Sequence, residues 1–173
     1  MNPRRWTLAK LNAMDREEFT SVVGPVFERS PWIAAAAWSC RPFEGFDRLH
    51  RALCDVVRLA TEPRQVELIC AHPDLADRAA LAGALTPESA NEQASAGLGR
   101  LSGEETARFQ ELNRKYRQRF GFPFVICARL NKKEAILASC TERLRNNRQE
   151  ELKTALEEIA KIARLRLEDL VAG

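Results

Sequence analysis

Two histidines, His50 and His72, are the only side chains of this 173-residue chain whose ordinary titration falls near neutral pH. His50 stands between Leu49 and Arg51 in an amphipathic helical pattern. His72 stands in Cys70-Ala71-His72-Pro73-Asp74-Leu75-Ala76, where a helical stretch runs into His-Pro. The residue before proline is pushed out of the helical region, so His72 is expected at a helix end, its ring projecting from a stiff turn. A histidine held that way suits proton transfer. It equally suits a plain loop hydrogen bond, and the residues alone leave both open. Metal chemistry is not expected. The five cysteines (Cys40, Cys54, Cys70, Cys127 and Cys140) contain no C-x-x-C pair, and two histidines cannot supply a zinc-finger ligand set. The cysteines read as buried free thiols of a reducing compartment.

Two further stretches differ from ordinary amphipathic helix. In Pro87–Leu98, the residues Ser89, Glu92, Gln93 and Ala96 are three or four apart and share one side of a helix. That side is polar but built of small and medium groups, unlike a solvated Lys/Glu face, and Ala90, Ala94 and Gly97 permit close packing. In Arg119–Arg129, three phenylalanines flank Gly121 and Pro123 before an apolar run. Phe122–Cys127 reads as a short buried extended connector rather than part of a sheet. Extended backbone outside a sheet needs partners for its N–H and C=O groups, and a ligand rich in ureido and amide groups would provide them.

The elements that must position these residues are helices. Phe46, Leu49, Leu53, Val56 or Val57, and Ala60 recur at helical spacing, as do Phe109, Leu112, Tyr116 and Phe120. Ile136, Cys140 and Leu144 form another stripe, and Leu152, Ala155, Ile159, Ile162 and Leu170 a last one, with Glu150, Glu151, Lys153, Glu157 and Lys161 on its opposite, charged face. Ser30-Pro31 reads as an N-cap with proline at the first helical position, and Thr86-Pro87 as the same device. Ser102 and Glu105 fit a capping box, and Gly121 a helix stop. The expectation is an all-α chain, residues 1–173 forming one compact domain of about eight helices with one short buried extended segment.

Composition agrees with a packed globule. Hydrophobic residues make up 45% and the formal net charge is +3, which together exclude wholesale disorder and give no argument for a nucleic-acid or membrane partner. The basic group Lys132, Lys133, Arg143, Arg145 and Arg148 is interleaved with Glu134, Glu142, Glu150 and Glu151, which reads as a solvated face. No apolar run approaches the ~20 residues of a membrane span, and no signal-peptide pattern stands at the N-terminus. A cytoplasmic protein is expected.

Taken together, three blocks resemble the OHCU decarboxylase family, whose members decarboxylate 2-oxo-4-hydroxy-4-carboxy-5-ureidoimidazoline to (S)-allantoin in urate breakdown. They are His72–Ala76 (HPDLA), Thr86–Leu98 (TPESANEQASAGL) and Phe120–Ile126 (FGFPFVI), in order. The resemblance extends over about residues 8–171 and implies an all-helical, cofactor-free carboxy-lyase, usually a homodimer. It implies His72 as the catalytic histidine and Glu92 as its acidic partner. It further implies Pro73, Ser89, Glu92, Gln93, Phe124, Val125, Ile126, Cys127 and Ala128 as substrate-binding positions, with Arg129 beside them in a less defined role. The substrate carries its own electron sink, a ring C=N next to the carbon that loses CO₂, which is why neither a metal nor pyridoxal phosphate is expected. Glu92 could orient His72 or bind the substrate directly. The competing readings are a hydrolase of a ureido or amide bond with His72 as base, and a non-catalytic helical interaction module.

Overall fold

A computed structural model of the chain describes residues 5–76 and 85–172. Among the described residues there are nine α-helices: α1 (Leu8–Ala13), α2 (Arg16–Val23), α3 (Trp32–Ala37), α4 (Phe46–Leu59), α5 (Glu62–Cys70), α6 (Pro87–Ser95), α7 (Gly103–Phe120), α8 (Lys133–Arg143) and α9 (Arg148–Leu170). Short 3₁₀ turns follow α2 and α3 and precede α8. No strand occurs among the described residues; Trp6 and Val171 make an isolated bridge. The all-α expectation of about eight helices holds, with nine among the described residues. None of the described helices is long and apolar enough to cross a membrane.

Contacts group the chain into two units. The first runs to Leu68 and resumes at Ala160; the second is Ile69–Ile159. In the first, α4 buries Leu49, Leu53 and Val57, one residue every turn, and α2 and α3 contribute Phe19, Val23, Ile33, Ala34 and Ala37. Phe19 stacks on Phe43 with centroids 5.9 Å apart. A buried ion pair joins Glu28 to both terminal nitrogens of Arg166 at 3.1 Å. His50 belongs here: its Nε2 donates to the Ala160 carbonyl at 2.9 Å, tying α4 to α9. Ser30 is not the side-chain cap of α3. Pro31 already has helical backbone angles and occupies the cap position without a side-chain bond, and the first turn closes through Ile33 N–H to the Ser30 carbonyl.

The second unit is organised by caps legible in the sequence. Thr86 Oγ1 accepts from Ser89 N–H and starts α6 with Pro87 in its first turn. Ser102 and Glu105 exchange both bonds of a capping box at the start of α7. Gly121, at φ +81°, ends α7 in the left-handed conformation that glycine adopts without steric cost. Gly97 does the same for α6. With φ +83°, it forms a Schellman closure, Leu98 N–H to Gln93 C=O and Gly97 N–H to Ala94 C=O, both 3.0 Å. A Cβ at Gly97 would meet nothing within 4 Å, so conformation, not the close packing expected, calls for glycine there.

Candidate active site

His72 lies two residues beyond the last residue of α5, and its N–H bonds the Ile69 carbonyl at 3.1 Å. The helix therefore ends at His-Pro as proline sterics require. The ring does not project into solvent, however: the residue is only 6% exposed. Three side chains fix the turn that follows. Gln93 Oε1 accepts from Ala76 N–H at 3.1 Å, Asn113 Nδ2 donates to the Leu75 carbonyl at 2.9 Å, and Arg117 Nε reaches both oxygens of Asp74 at 2.9 and 3.1 Å. Ala76 sits at φ +58°, a region that costs a non-glycine residue of order 1 kcal/mol or more. The bonds from Gln93 and Asn113 on either side of that peptide hold it there.

The polar side of α6 faces inward. Ser89 and Gln93 are buried and Glu92 is half-buried, unlike a solvated helix face. Gln93 joins α6 to the His72 turn, while α6 also packs on the 3₁₀ turn Ala128–Leu130. The Glu92 carboxylate is near enough to the Cys127 thiol to help raise its pKa, after burial and Glu158.

Phe122–Cys127 belongs to no helix or strand, has extended backbone angles at Cys127 and is, with Ala128, wholly buried. Tyr116 anchors its aromatic end, edge-on to Phe124 at 5.3 Å and Phe122 at 6.2 Å and tilted on Phe120 at 4.6 Å. Not all the backbone of this segment waits for a ligand. Val125 C=O accepts from Arg143 Nη1 at 2.9 Å, Cys127 N–H donates to Glu158 Oε2 at 2.8 Å, and Cys127 C=O accepts from Asn131 Nδ2 at 3.0 Å. Arg129 lies on the exposed side of the 3₁₀ turn, and Pro73 is half-buried in the His72 turn.

Sequence reasoning missed the charges beneath the segment. Arg143 and Glu151 were expected on a solvated face. Instead Glu151 is 0% and Arg143 8% exposed. Glu151 Oε1 accepts from Arg143 Nε at 2.9 Å and from Tyr116 Oη, and Oε2 accepts from Asn146 Nδ2 at 2.9 Å. Burial opposes the Arg143 charge, but Glu151 holds its pKa above the usual value. The signal was present: Glu151, Ala155, Glu158 and Ile162 step by four, three and four, placing two carboxylates on the apolar stripe of α9. Three of the thiols also differ from expectation. Cys127 and Cys140 are buried, the latter's pKa pushed up to about 12 by burial, but Cys54 is half-buried, Cys40 and Cys70 are exposed, and all five are free. Cys70 closes the last turn of α5, where one side of the helix faces water.

Tyr116 is the chain's only tyrosine, and burial, reinforced by its bond to Glu151, pushes its phenol far above the ordinary value. A raised folded pKa contributes stability that is intact below the unfolded value, about 10, and is lost as pH rises through the folded value. The native protein is expected to show no tyrosinate absorbance at about pH 11, where the unfolded chain is largely ionised. Native tyrosinate appearing at about pH 10 would contradict the buried Tyr116–Glu151 bond.

Among the described residues, no group of three or more His, Cys, Asp or Glu is placed to hold a metal ion. What this arrangement of a buried histidine, a carboxylate and an extended peptide edge belongs to is decided by comparison with known proteins. The model of the OHCU decarboxylase family matches residues 12–168. The chain belongs to the OHCU decarboxylase family. Among curated relatives it is 44% identical to the 2-oxo-4-hydroxy-4-carboxy-5-ureidoimidazoline decarboxylase of Amia calva, over 95% of this chain and 94% of that one. It is 43% identical to the mouse (Mus musculus) decarboxylase, over 96% and 93%. A crystal structure of (S)-allantoin synthase superposes with a TM-score of 0.78 at 28% identity, over 96% of this chain and 54% of that one, so the chain spans about half of that synthase. A crystal structure of OHCU decarboxylase in the presence of (S)-allantoin shares the fold, with a TM-score of 0.68 at 24% identity, over 89% and 96%. The three blocks on which the resemblance was drawn, in the His72 turn, α6 and the Phe122–Cys127 segment, lie in one unit.

Proposed function

We propose that this chain decarboxylates 2-oxo-4-hydroxy-4-carboxy-5-ureidoimidazoline to (S)-allantoin in urate degradation, with His72 and Glu92 as its catalytic residues. The observation that carries the assignment is the bond from Gln93 to the turn after His72, which ties the polar side of α6 to the histidine. Glu92 neighbours Gln93 on that helix and also borders the extended segment.

The reaction balances without an added cofactor. The bond from the ring carbon to the carboxylate breaks and CO₂ leaves. The electron pair forms a C=C bond to the neighbouring carbon while the ring C=N nitrogen takes up the displaced pair and a proton. A proton then adds to the ureido-bearing carbon, the hydroxyl loses its proton, and the C=O of allantoin results. The protein must align the breaking bond with the C=N system and deliver the carbon-bound proton from one face. His72 supplies that proton: imidazole donates and recovers protons near neutral pH. Glu92, bonded to the ring, would set its tautomer and favour its protonated form. Ser89, Gln93, Pro73, Phe124–Ala128 and Arg129 frame the substrate, the extended segment through backbone groups suited to ureido and amide partners. The same reading has the enzyme working as a cytoplasmic homodimer, without metal or organic cofactor.

Freshly generated substrate should release CO₂ and no ammonia when the protein is added. Ammonia released in step with substrate loss would instead assign a hydrolase of the ureido or amide bond.

A further inference from the structure

The charged groups buried beneath the extended segment have no part in the chemistry above, yet Arg143, Glu151 and Glu158 are 8%, 0% and 9% exposed. Buried charges are costly unless paired and hydrogen-bonded, so their placement asks for an account. Two of them spend their bonds on the backbone of one segment: Arg143 on Val125 C=O, Glu158 on Cys127 N–H. In an extended chain, the N–H and C=O of one residue point to the same edge, and those of the next residue to the other. Val125 and Cys127 are two apart, so both bonds fall on a single edge. The polar groups of Ile126, between them, fall on the opposite edge.

The guanidinium that reaches Val125 is itself fixed. Glu151 accepts from its Nε and Nη2, Tyr116 and Asn146 complete the carboxylate's bonds, and the Phe124 ring lies 4.5 Å beneath it. Glu151 and Glu158 are seven residues apart on α9, hence on one face of that helix. One helix face, directly through Glu158 and by way of Arg143, therefore docks a segment that belongs to no sheet.

We propose that Arg143 and Glu158 are positioning residues for the decarboxylation: they dock one edge of the extended segment so that the Ile126 edge is held ready for the ureido and ring amide groups of the substrate. The inference rests on the functional reading above. An edge that alternates N–H and C=O matches a ligand that does the same, and it can select such a ligand only if its own spacing is set before binding.

The test compares Glu158→Gln, Glu158→Leu and Arg143→Lys with the parent protein, each checked for fold by far-ultraviolet circular dichroism. Glu158→Leu removes the acceptor for Cys127 N–H. It should raise KM, and weaken binding of (S)-allantoin used as the probe, by about tenfold or more, the loss of one buried hydrogen bond. Its kcat should stay within about threefold, because His72 and Glu92 are untouched. Glu158→Gln keeps an amide oxygen for the same bond and should restore both constants to within about threefold of the parent. Arg143→Lys keeps the charge but loses the fork that spans Glu151 and Val125. It should raise KM as Glu158→Leu does, and it carries the test if the leucine variant does not fold. Folded Glu158→Leu or Arg143→Lys with parental KM and allantoin affinity overturns the proposal. So does Glu158→Gln as impaired as Glu158→Leu, or failure of both non-rescuing variants to fold, which would make the residues purely structural. A parent protein that neither turns over substrate nor binds (S)-allantoin instead sinks the functional reading, and the proposal with it.

Discussion

Replacing His72 by Asn is expected to lower kcat by about 10²–10⁴, the usual worth of a positioned general acid or base. Asn retains a polar side chain of related shape but cannot exchange a proton near neutral pH. The site is buried, so a shape-keeping substitution is needed to separate chemistry from packing. The turn should survive, because Gln93, Asn113 and Arg117 bond it at Ala76, Leu75 and Asp74. Binding of (S)-allantoin should therefore fall much less than kcat. A folded variant that still forms (S)-allantoin within a few-fold of the parent rate would leave His72 as a loop histidine.

The second large effect is expected at Glu92. Glu92→Gln removes the charge while keeping length and hydrogen-bonding capacity, and it should lower kcat by about 10- to 10³-fold, as loss of a group that orients a catalytic side chain does. Kinetics of the double variant separate its two possible duties. If Glu92 acts through His72, the His72→Asn, Glu92→Gln pair should cost little more than His72→Asn alone. If Glu92 instead grips the substrate, KM should carry the loss and the two effects should multiply. Parental kcat and KM in Glu92→Gln would remove the carboxylate from the mechanism altogether.

Local chemistry determined what the sequence made legible. Thr86-Pro87, Ser102 with Glu105, and Gly121 each act within three or four residues, and all three sit as read. His-Pro ends α5 for the same reason. The extended segment was visible because Gly121 and Pro123 forbid helix continuation while the residues between and after them are apolar. What the spacing hid depends on partners far along the chain. Arg143 and Glu151 look like members of a solvated run until Val125 and Tyr116 are brought to them, 18 and 35 residues away. Gln93 was assigned to substrate, yet its carbonyl oxygen holds Ala76, 17 residues upstream, so the helix that presents Glu92 also shapes the turn that presents His72. Asn113 lies on the buried stripe of α7 between Phe109 and Tyr116 and Arg117 on its exposed side, and only the folded turn shows what they bond. Cys70 was expected inside on its apolar neighbours, and exposure is a property of the face, not of the neighbours.

Circular dichroism on freshly generated substrate, with and without the protein, tests the central claim most directly. Unaided loss of CO₂ leaves a planar centre that water protonates from either face, so the product is racemic and carries no dichroism. A protein that holds the substrate on the Ile126 edge and protonates it from His72 must yield (S)-allantoin, with the dichroic signal rising faster than the unaided reaction proceeds. Racemic product, or substrate loss at the unaided rate, would contradict the account.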